Sequence, residues 1–193
     1  MRITGGSAKG RHLIGPKSGW PCIRPTGDRV REALFNILGH EVAGSAVLDL
    51  YAGTGALGLE ALSREAERAV FIDQSRQALE LTRSNLASCF PGAKASLYQL
   101  NLSRKDSLEQ LKKKMPVRLL FDLVFLDPPY EKKLAEKTLA MLATGALLQD
   151  NGLVVAEERA SEQLAEQYGL LSLEKHRSYG ETALWLYRST AAS

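Results

Sequence analysis

The sequence predicts an α/β protein with a mostly parallel sheet, and three observations support that class. From residue 46 onward, short apolar or β-rich segments alternate with helical segments, which is the pattern of βαβ units. Two strand-like segments then follow each other near the C-terminus, so the sheet is expected to end in an antiparallel pair. A chain of 193 residues is also long enough to bury one full core.

An N-terminal segment precedes this alternation. Ile3–Gly6 and Arg11–Ile14 flank a stretch that contains Gly, Ser and Lys, which predicts a short hairpin. Apolar residues at helical spacing then predict a helix that begins near Thr26 or Asp28, as alternative N-cap residues, and ends near Gly39.

The main domain, residues 46–193, is expected to contain five strands and four helices before a final hairpin. The predicted strands are Ala46–Leu50, Ala69–Asp73, Ala95–Gln99, Asp122–Leu126 and Gly152–Glu157. The predicted helices lie near residues 56–65, 75–88, 104–114 and 131–144. The final hairpin is expected to pair Leu170–Arg177 with Thr182–Tyr187.

Positive charge is concentrated at the N-terminal end of the chain. The net charge is +3, but residues 1–40 contain seven Lys and Arg residues against two acidic residues. This asymmetry favours a polyanionic partner at that end, although a solvated basic face without a partner would give the same count.

Cysteine usage and hydropathy disfavour several other classes of protein. Cys22 and Cys89 are far apart and match no metal-binding or redox spacing, so we expect no metal site and a reducing compartment. No apolar run approaches the roughly 18 residues that would span a bilayer, and no charged-then-apolar leader begins the chain. The sequence therefore predicts a cytoplasmic protein.

The most informative motif is Asp127-Pro128-Pro129-Tyr130, which follows the predicted strand Asp122–Leu126. Each proline fixes its own φ and restricts the residue before it, so the turn is expected to be rigid. It presents a carboxylate and a carbonyl as hydrogen-bond acceptors beside an aromatic ring. This arrangement suits a planar base with an exocyclic amino group. A plain end of a strand is the alternative, because Pro-Pro ends strands in many contexts.

A glycine-rich turn follows the first strand of the main domain. Gly53, Gly55 and Gly58 match the spacing of dinucleotide-binding turns, and Asp73 at the end of the next strand could hold a ribose. A nicotinamide enzyme is therefore one interpretation. Asp49 favours another, because its carboxylate would repel a pyrophosphate and attract a cation. S-adenosylmethionine has no phosphate and carries a sulfonium and an ammonium, so it meets that requirement.

Polar residues at the ends of successive strands complete this candidate site, at the edge where α/β sheets bind ligands. Asp49 is expected to face the ligand and Asp73 to accept from both ribose hydroxyls. Asn101 is expected to reach the adenine amino group, and Asp127 to face the reaction centre. Each of these residues could instead have a local role. Asp49 and Asp73 could cap helices, and Asn101 could stabilise a turn.

Four segments carry a resemblance to a known family, namely Gly5–Arg11, Arg24–Asn36, Asp49–Ser63 and Asp127–Tyr130. The chain resembles the class I S-adenosylmethionine-dependent methyltransferases. More narrowly, it resembles the bacterial RsmD family of 16S rRNA guanine-N2 methyltransferases over essentially its whole length. The segment Arg24–Asn36, which lies just before a glycine-rich strand, is what narrows the resemblance from the methyltransferase class to this family.

The resemblance implies a Rossmann-like fold with a seven-stranded sheet, an antiparallel last strand and a small N-terminal β-hairpin extension. Residues 1–45 would contact RNA and cover the cofactor, and residues 46–193 would form the catalytic domain. The substrate would be a guanine of 16S rRNA in an assembled or assembling small subunit, and we expect a monomer. Asp73 stands where relatives often have Glu, and the segment around Asn101 is less typical of the family.

The candidate site residues fall into three groups. The catalytic candidates are Asp127, Pro128 and Tyr130. The candidates for binding S-adenosylmethionine are Asp49, Tyr51, Gly53, Gly55, Asp73, Asn101 and Asp127. The candidates for binding RNA are Lys9, Arg11, Lys17, Arg24, Arg29, Lys132 and Lys133. Arg24 and Arg29 could instead order the cofactor's lid or pair with Asp28 and Glu32.

Other functions remain open from the sequence. An amino methyltransferase could act on DNA adenine or cytosine, or on 23S rRNA, because the Asp-Pro-Pro-Tyr turn is common among such enzymes. A nicotinamide enzyme would use the glycine-rich turn but leaves Asp127–Tyr130 without a role. A non-enzymatic RNA-binding assembly factor would keep the fold without the chemistry.

Overall fold

The computed structural model describes residues 1–16, 27–115, 119–130, 133–144 and 147–190, and the structural statements below concern these ranges. The chain divides into two compact units, Met1–Gln99 and Leu100–Ser193. Within the described ranges, no helix is both long enough and apolar enough to cross a membrane.

The first unit contains an N-terminal hairpin, three helices and three parallel strands. Arg2 and His12 form an antiparallel bridge in the predicted hairpin. The helices are α1 (Asp28–Leu38), α2 (Ala56–Ser63) and α3 (Arg76–Cys89), and a 3₁₀ turn, Gly39–Glu41, follows α1. The strands are β1 (Ala46–Leu50), β2 (Arg68–Asp73) and β3 (Lys94–Gln99), in the spatial order β3-β2-β1. All of β1 is buried, as expected for a parallel strand with both faces covered.

The second unit contains two helices and five strands in its described part. The helices are α4 (Ser107–Lys114) and α5 (Leu134–Leu142). The strands are β4 (Phe121–Leu126), β5 (Leu148–Arg159), β6 (Gln167–Tyr168), β7 (Leu171–Tyr179) and β8 (Thr182–Ser189). Their order is β4-β5-β8-β7-β6; β4 and β5 are parallel, and the later pairs are antiparallel.

The predicted fold class is confirmed. Parallel strands dominate the earlier part of the chain, and the C-terminal strands are antiparallel. Among the described residues, seven strands are at least five residues long. Seven is the number of strands that the resemblance implies. The two-residue strand β6 was not predicted.

Several element boundaries differ from the predicted ones, among them the start of α1, the start of β5 and the end of β7. Gly27 occupies the N-cap position of α1 without a side-chain cap, and Asp28 is the first helical residue; Thr26 lies outside the described residues. Strand β5 begins at Leu148, four residues before the predicted start. Leu148 pairs with Phe121 and Leu153 pairs with Leu123, so the loop-like polar stretch 149–151 lies in an irregularity of the register. Strand β7 continues to Tyr179, which leaves a turn of only two residues before β8.

A buried carboxylate fixes the N-terminal hairpin to α2. Glu60 accepts the backbone N–H of Thr4 at 2.8 Å through Oε2 and the Thr4 hydroxyl at 2.8 Å through Oε1. Arg31 and Arg64 donate to the same carboxylate at 3.3 Å and 3.0 Å. Burying Glu60 is tolerated because several donors satisfy its charge. Since α2 begins at the glycine-rich turn, one helix holds both the hairpin and the turn.

Candidate active site

The glycine-rich turn lies between the end of β1 and the start of α2, as the sequence predicts. Gly53 and Gly55 have φ values of 56° and 78°, and Gly55 is the N-cap residue of α2. Tyr51 also has a positive φ, 63°, although it carries a side chain. A non-glycine residue in this region is strained, and such strain is found most often at functional sites.

Asp49 is buried on β1, and its carboxylate points at the first turn of α2. Its Oδ2 atom accepts the backbone N–H of Gly58 at 2.9 Å, so the helix-capping role considered from the sequence is present. Burial raises the pKa of Asp49 from its ordinary value of 3.8 to about 8; the Gly58 hydrogen bond opposes this rise, and the nearby charge of Asp73 adds to it. A cation beside Asp49 would favour its ionised form.

Gly58 lies where α2 packs most closely on the sheet. A Cβ atom at this position would overlap the ring of Phe71 and lie 3.1 Å from Asp49 Oδ2. The third glycine of the motif therefore has a packing role, since it lets the helix approach β2 and keeps its N–H against the carboxylate.

Asp73 ends β2 and holds two backbone groups. Its Oδ2 atom accepts the N–H of Gly53 at 3.0 Å, and its Oδ1 atom accepts the N–H of Ser75 at 2.8 Å. Ser75 is itself the N-cap residue of α3. Each carboxylate oxygen can accept a second hydrogen bond. Asp73 is therefore fitted to support the glycine turn and to accept from hydroxyls of a ligand at the same time.

Two buried residues of α3 support the glycine turn, and the sequence did not single them out. Thr82 donates its hydroxyl to the carbonyl of Gly53 at 3.0 Å, and Asn85 donates to the carbonyl of Thr54 at 3.0 Å. Asn85 also exchanges hydrogen bonds of 2.7 Å and 3.0 Å with the backbone of Ile14. Thr82 and Asn85 are three positions apart, which places two polar residues on the same face of a helix. That spacing is the signal that could have identified them.

Asn101 follows β3 in the second unit and is exposed. Its Oδ1 atom accepts the backbone N–H of Ser103 at 3.0 Å and the Ser103 hydroxyl at 2.6 Å. This is the local turn role that the sequence left as an alternative. Contact with an adenine stays a prediction.

The Asp127–Tyr130 turn follows β4 directly. Asp127 is half-buried, Pro128 is buried and the ring of Tyr130 is half-buried. The strand before it is buried at five of its six residues, so the turn emerges from a well-packed element. The catalytic roles of the three residues stay predictions, and their positions in the fold agree with the sequence.

Three residues of β5 and β8 hold the ring of Tyr130 and were not predicted. The Tyr130 hydroxyl donates to Oε1 of the buried Glu157 at 3.0 Å, and the side chain of Thr182 lies close to the same hydroxyl. The guanidinium carbon of Arg159 lies 5.5 Å from the ring centroid. Burial, and then the charge of Glu157, raise the pKa of Tyr130 well above its usual value, so its hydroxyl stays protonated.

The RNA-binding candidates have different surroundings. Lys9, Arg29 and Lys133 are exposed. Arg11 is exposed but donates to the carbonyls of Ser88 and Cys89 at 2.7 Å and 3.3 Å, where α3 ends. The other candidates, Lys17, Arg24 and Lys132, lie outside the described residues.

Asp28 pairs with Arg31 at 3.0 Å, a partner that the sequence did not suggest, and Arg24 lies outside the described residues. The pair joins residues three positions apart in α1, which is the spacing of neighbours on one helix face. The predicted roles of residues 1–45 in RNA contact and in covering the cofactor stay predictions.

Comparison with known proteins gives a consistent relationship. The chain matches the family model described as Conserved hypothetical protein 95 over residues 1–188. It is 37% identical to ribosomal RNA small subunit methyltransferase D of Escherichia coli (strain K12), over 99% of this chain and 91% of that protein. It is 35% identical to the protein of the same name from Haemophilus influenzae, over 98% of this chain and 94% of that protein.

A solved structure named as a methyltransferase from Escherichia coli superposes with a TM-score of 0.81 at 34% sequence identity, and covers 100% of this chain and 99% of that chain. The fold, the glycine-rich turn and the Asp127–Tyr130 turn together define a class I S-adenosylmethionine-dependent methyltransferase. Within that class, the chain belongs to the Conserved hypothetical protein 95 family, the family of the RsmD methyltransferases. The resemblance drawn from the sequence is thereby confirmed.

Proposed function

We propose that the protein transfers a methyl group from S-adenosylmethionine to the exocyclic N2 atom of a guanine in 16S rRNA. The observation that carries the proposal is the Asp127–Tyr130 turn, in which a half-exposed carboxylate adjoins a ring fixed by Glu157. The relatives named as ribosomal RNA small subunit methyltransferase D, to which this chain aligns over nearly all of its length, support the substrate.

The cofactor half of the reaction belongs to the first unit. S-adenosylmethionine, when bound, supplies a methyl group bonded to a sulfonium sulfur. The neutral thioether that remains after transfer is a good leaving group. Asp73 would accept hydrogen bonds from the ribose, because each of its oxygens retains a lone pair beyond its backbone contact. Asp49 would face the positive charges, and its raised pKa shows that its surroundings provide little cationic compensation by themselves. The chemistry of these two carboxylates fits the cofactor.

The base half belongs to the second unit. The amino nitrogen of guanine is a poor nucleophile because its lone pair is delocalised into the ring. The Asp127 carboxylate and the Pro128 carbonyl would accept its two hydrogens, which frees the lone pair for attack on the methyl carbon. Methyl transfer would form the N–C bond as the S–C bond breaks, and the proton lost from the cationic nitrogen would pass to water. The Asp127 charge would stabilise the positive nitrogen in the transition state.

Tyr130 would fix the plane of the base by stacking. The Glu157 hydrogen bond sets the orientation of the ring, and Arg159 lies over one face, so the guanine would use the opposite face. A ring already held in place loses little further entropy when the base stacks on it. The target base must leave its own stack to reach this ring, as in other enzymes that modify bases.

The partner would be the small ribosomal subunit or an intermediate in its assembly, with the protein acting as a monomer in the cytoplasm. Exposed basic residues would contact the phosphates around the target base, namely Lys9, Arg11 and Arg29 together with Lys133, and the predicted contacts at Lys17, Arg24 and Lys132. Such contacts make binding weaker as the salt concentration rises.

The deciding experiment is transfer of a labelled methyl group from S-adenosylmethionine. Small ribosomal subunits, protein-free 16S rRNA, large subunits and duplex DNA are offered in parallel, all from cells that lack the enzyme. We expect label only in small subunits or their rRNA, recovered as N2-methylguanosine, and its loss in Asp127→Ala. Label in DNA or in large subunits would refute the substrate and leave the enzyme class intact.

A cofactor titration separates loss of chemistry from loss of folding. Calorimetry should show that Asp127→Asn, a variant that keeps the shape of the side chain, still binds S-adenosylmethionine. If Asp127→Asn methylated small subunits at the wild-type rate, the role of the carboxylate charge would be wrong.

A further inference from the structure

We propose a second RNA-contacting surface in the C-terminal antiparallel strands, formed by Lys175, Arg177 and Tyr179 of β7 with Arg159 of β5. We call this set the β7 patch. It would bind the nucleotides that flank the target guanine, with Tyr179 stacking on a base and the cationic side chains contacting phosphates. The inference rests on the proposed function, because it gives the same RNA a further contact beside Tyr130.

The strand register places the patch on the face of the sheet that carries the contacts of Tyr130. Arg159 pairs with Thr182 on β8, and Thr182 pairs with Tyr179 on β7. Residues paired across neighbouring strands share a face, so these three side chains lie on one side of the sheet. Glu157 lies two residues before Arg159 and shares that face. Because the Tyr130 hydroxyl donates a hydrogen bond to Glu157, the Tyr130 ring lies against this face.

The same alternation extends the patch along β7. Arg177 pairs with Leu184, which pairs with Glu157, and Lys175 pairs with Leu186 after the irregularity in the register. Lys175, Arg177 and Tyr179 are two residues apart in sequence and therefore point to one side of the strand. Lys175, Arg177 and Tyr179 thus form one row along β7. Tyr179, at the end of the row, is level with Arg159 two strands away.

The row is accessible and positively charged. Arg159 and Arg177 are exposed, and Lys175 and Tyr179 are half-buried. In the described part of the chain, β6 pairs only with the first two residues of β7, so the row lies at a sheet edge. On this face, the acidic residue Glu157 is buried and hydrogen-bonded to Tyr130. The turn between β7 and β8 adds a second acidic residue, Glu181.

The combination of cations and aromatic rings fits single-stranded RNA. Bases stack on aromatic side chains, whereas phosphates are held by Lys and Arg. An extruded guanine has neighbours on both sides in the chain, and these neighbours need contacts if the target is to stay out of its stack. Arg159 is two strands, about 10 Å, from Tyr179 across the sheet, which is a distance that adjacent nucleotides can span.

The test measures methylation kinetics on small ribosomal subunits for Tyr179→Ala, Arg177→Ala and Lys175→Ala. Lys113→Ala, a change at an exposed lysine near the end of α4, is the matched control. We expect Tyr179→Ala to raise KM about tenfold, through loss of one stacked base, while kcat and the affinity for S-adenosylmethionine stay unchanged. Tyr179→Phe should restore the wild-type KM.

The salt dependence of RNA binding gives a second readout. Removing one phosphate contact by Arg177→Ala should make the negative slope of log affinity against log salt shallower by roughly 0.7, whereas Arg177→Lys should leave the slope unchanged. If all three variants had the KM and salt slope of Lys113→Ala, the β7 patch would be refuted and the proposed function would stand. Absence of methylation by the wild-type protein would refute the proposed function, and this inference with it.

Discussion

The glycine-rich turn of the first unit and the Asp127–Tyr130 turn of the second unit are built in different ways. In the glycine turn, the acids Asp49 and Asp73 accept hydrogen bonds from backbone N–H groups. At the second turn, Tyr130 is held by side chains, Glu157 and Arg159, that come much later in the chain. One site depends on contacts between side chains and the backbone, and the other depends on contacts between side chains.

This difference predicts different sensitivities to mutation. The glycine turn does not tolerate a Cβ atom where the chain must approach closely, and among its neighbouring side chains it depends on those that bond its backbone, such as Thr82 and Asn85. A site built from side chains can be weakened in small steps, because each partner contributes about 0.5–1.5 kcal/mol, or more if charged. Four experiments test or refine this comparison, from the largest expected effect to the smallest.

The ionisation of Asp49 should make cofactor binding strongly dependent on pH. With a pKa of about 8, Asp49 is mostly protonated near neutrality, and a cationic ligand must shift it to the ionised form. Affinity for S-adenosylmethionine should therefore rise by up to about tenfold per pH unit from pH 6 and level off above pH 8. Calorimetry over pH 6–9, in buffers of different ionisation enthalpy, measures both the affinity and the released proton.

Asp49→Asn is the control for this profile, since the amino group of the ligand also titrates near pH 8. The rise should be absent in that variant, and an identical profile would rule out Asp49 as its source. The same shift affects stability. The folded state holds this proton more tightly than the unfolded chain, so the free energy of unfolding of the unliganded protein should fall as pH rises from about 4 to about 8.

Gly58→Ala should destabilise the first unit and weaken cofactor binding. The new methyl group would overlap Phe71 and crowd Asp49, at a cost of about 2 kcal/mol for overpacking. The gain of about 1 kcal/mol from replacing Gly by Ala in a helix offsets only part of this cost. Thermal unfolding should show a lower Tm. Gly92→Ala is the matched control, because nothing lies within 4 Å of the added atom, and equal Tm values would contradict the packing role.

Tyr130→Phe should slow methylation about tenfold, because it removes the charge-assisted hydrogen bond to Glu157 that orients the ring, whereas Glu157→Gln should slow it less, because the amide oxygen can still accept the hydroxyl hydrogen. The double variant should be no slower than Tyr130→Phe, since without the hydroxyl the side chain at position 157 has no bond to weaken. Single-turnover rates at saturating substrate measure the effect. Fully additive losses would mean that Glu157 acts on the reaction without Tyr130.

Lys9→Ala and Arg11→Ala should separate RNA contact from structural support in the hairpin. Both variants should weaken RNA binding about threefold, the effect of losing one screened phosphate contact. Only Arg11→Ala should also lower the Tm, because Arg11 donates to carbonyls at the end of α3. Filter binding and thermal unfolding provide the two readouts. A lower Tm in Lys9→Ala would show that Lys9 also supports the fold.

Local patterns predicted much of the fold and part of the candidate site. The spacing of Gly53, Gly55 and Gly58 identified the turn, because positive φ angles and close packing require glycine there. The apolar runs identified β1 and β4, because buried parallel strands need side chains that are apolar on both faces. The start of β5 was not predicted, because its polar first residues have the composition of a loop.

The sequence by itself determined the fold class, the family and the positions of Asp49, Asp73 and Asp127 at the ends of strands. Those features depend on local periodicity and on short motifs. Both can be recognised without knowing which residues contact each other in the fold. Only the tertiary structure revealed that Glu157 and Arg159 surround Tyr130, and that Lys175, Arg177 and Tyr179 share its face of the sheet. These contacts depend on the register of strands distant in sequence, because a shift of one residue would move every side chain to the opposite face.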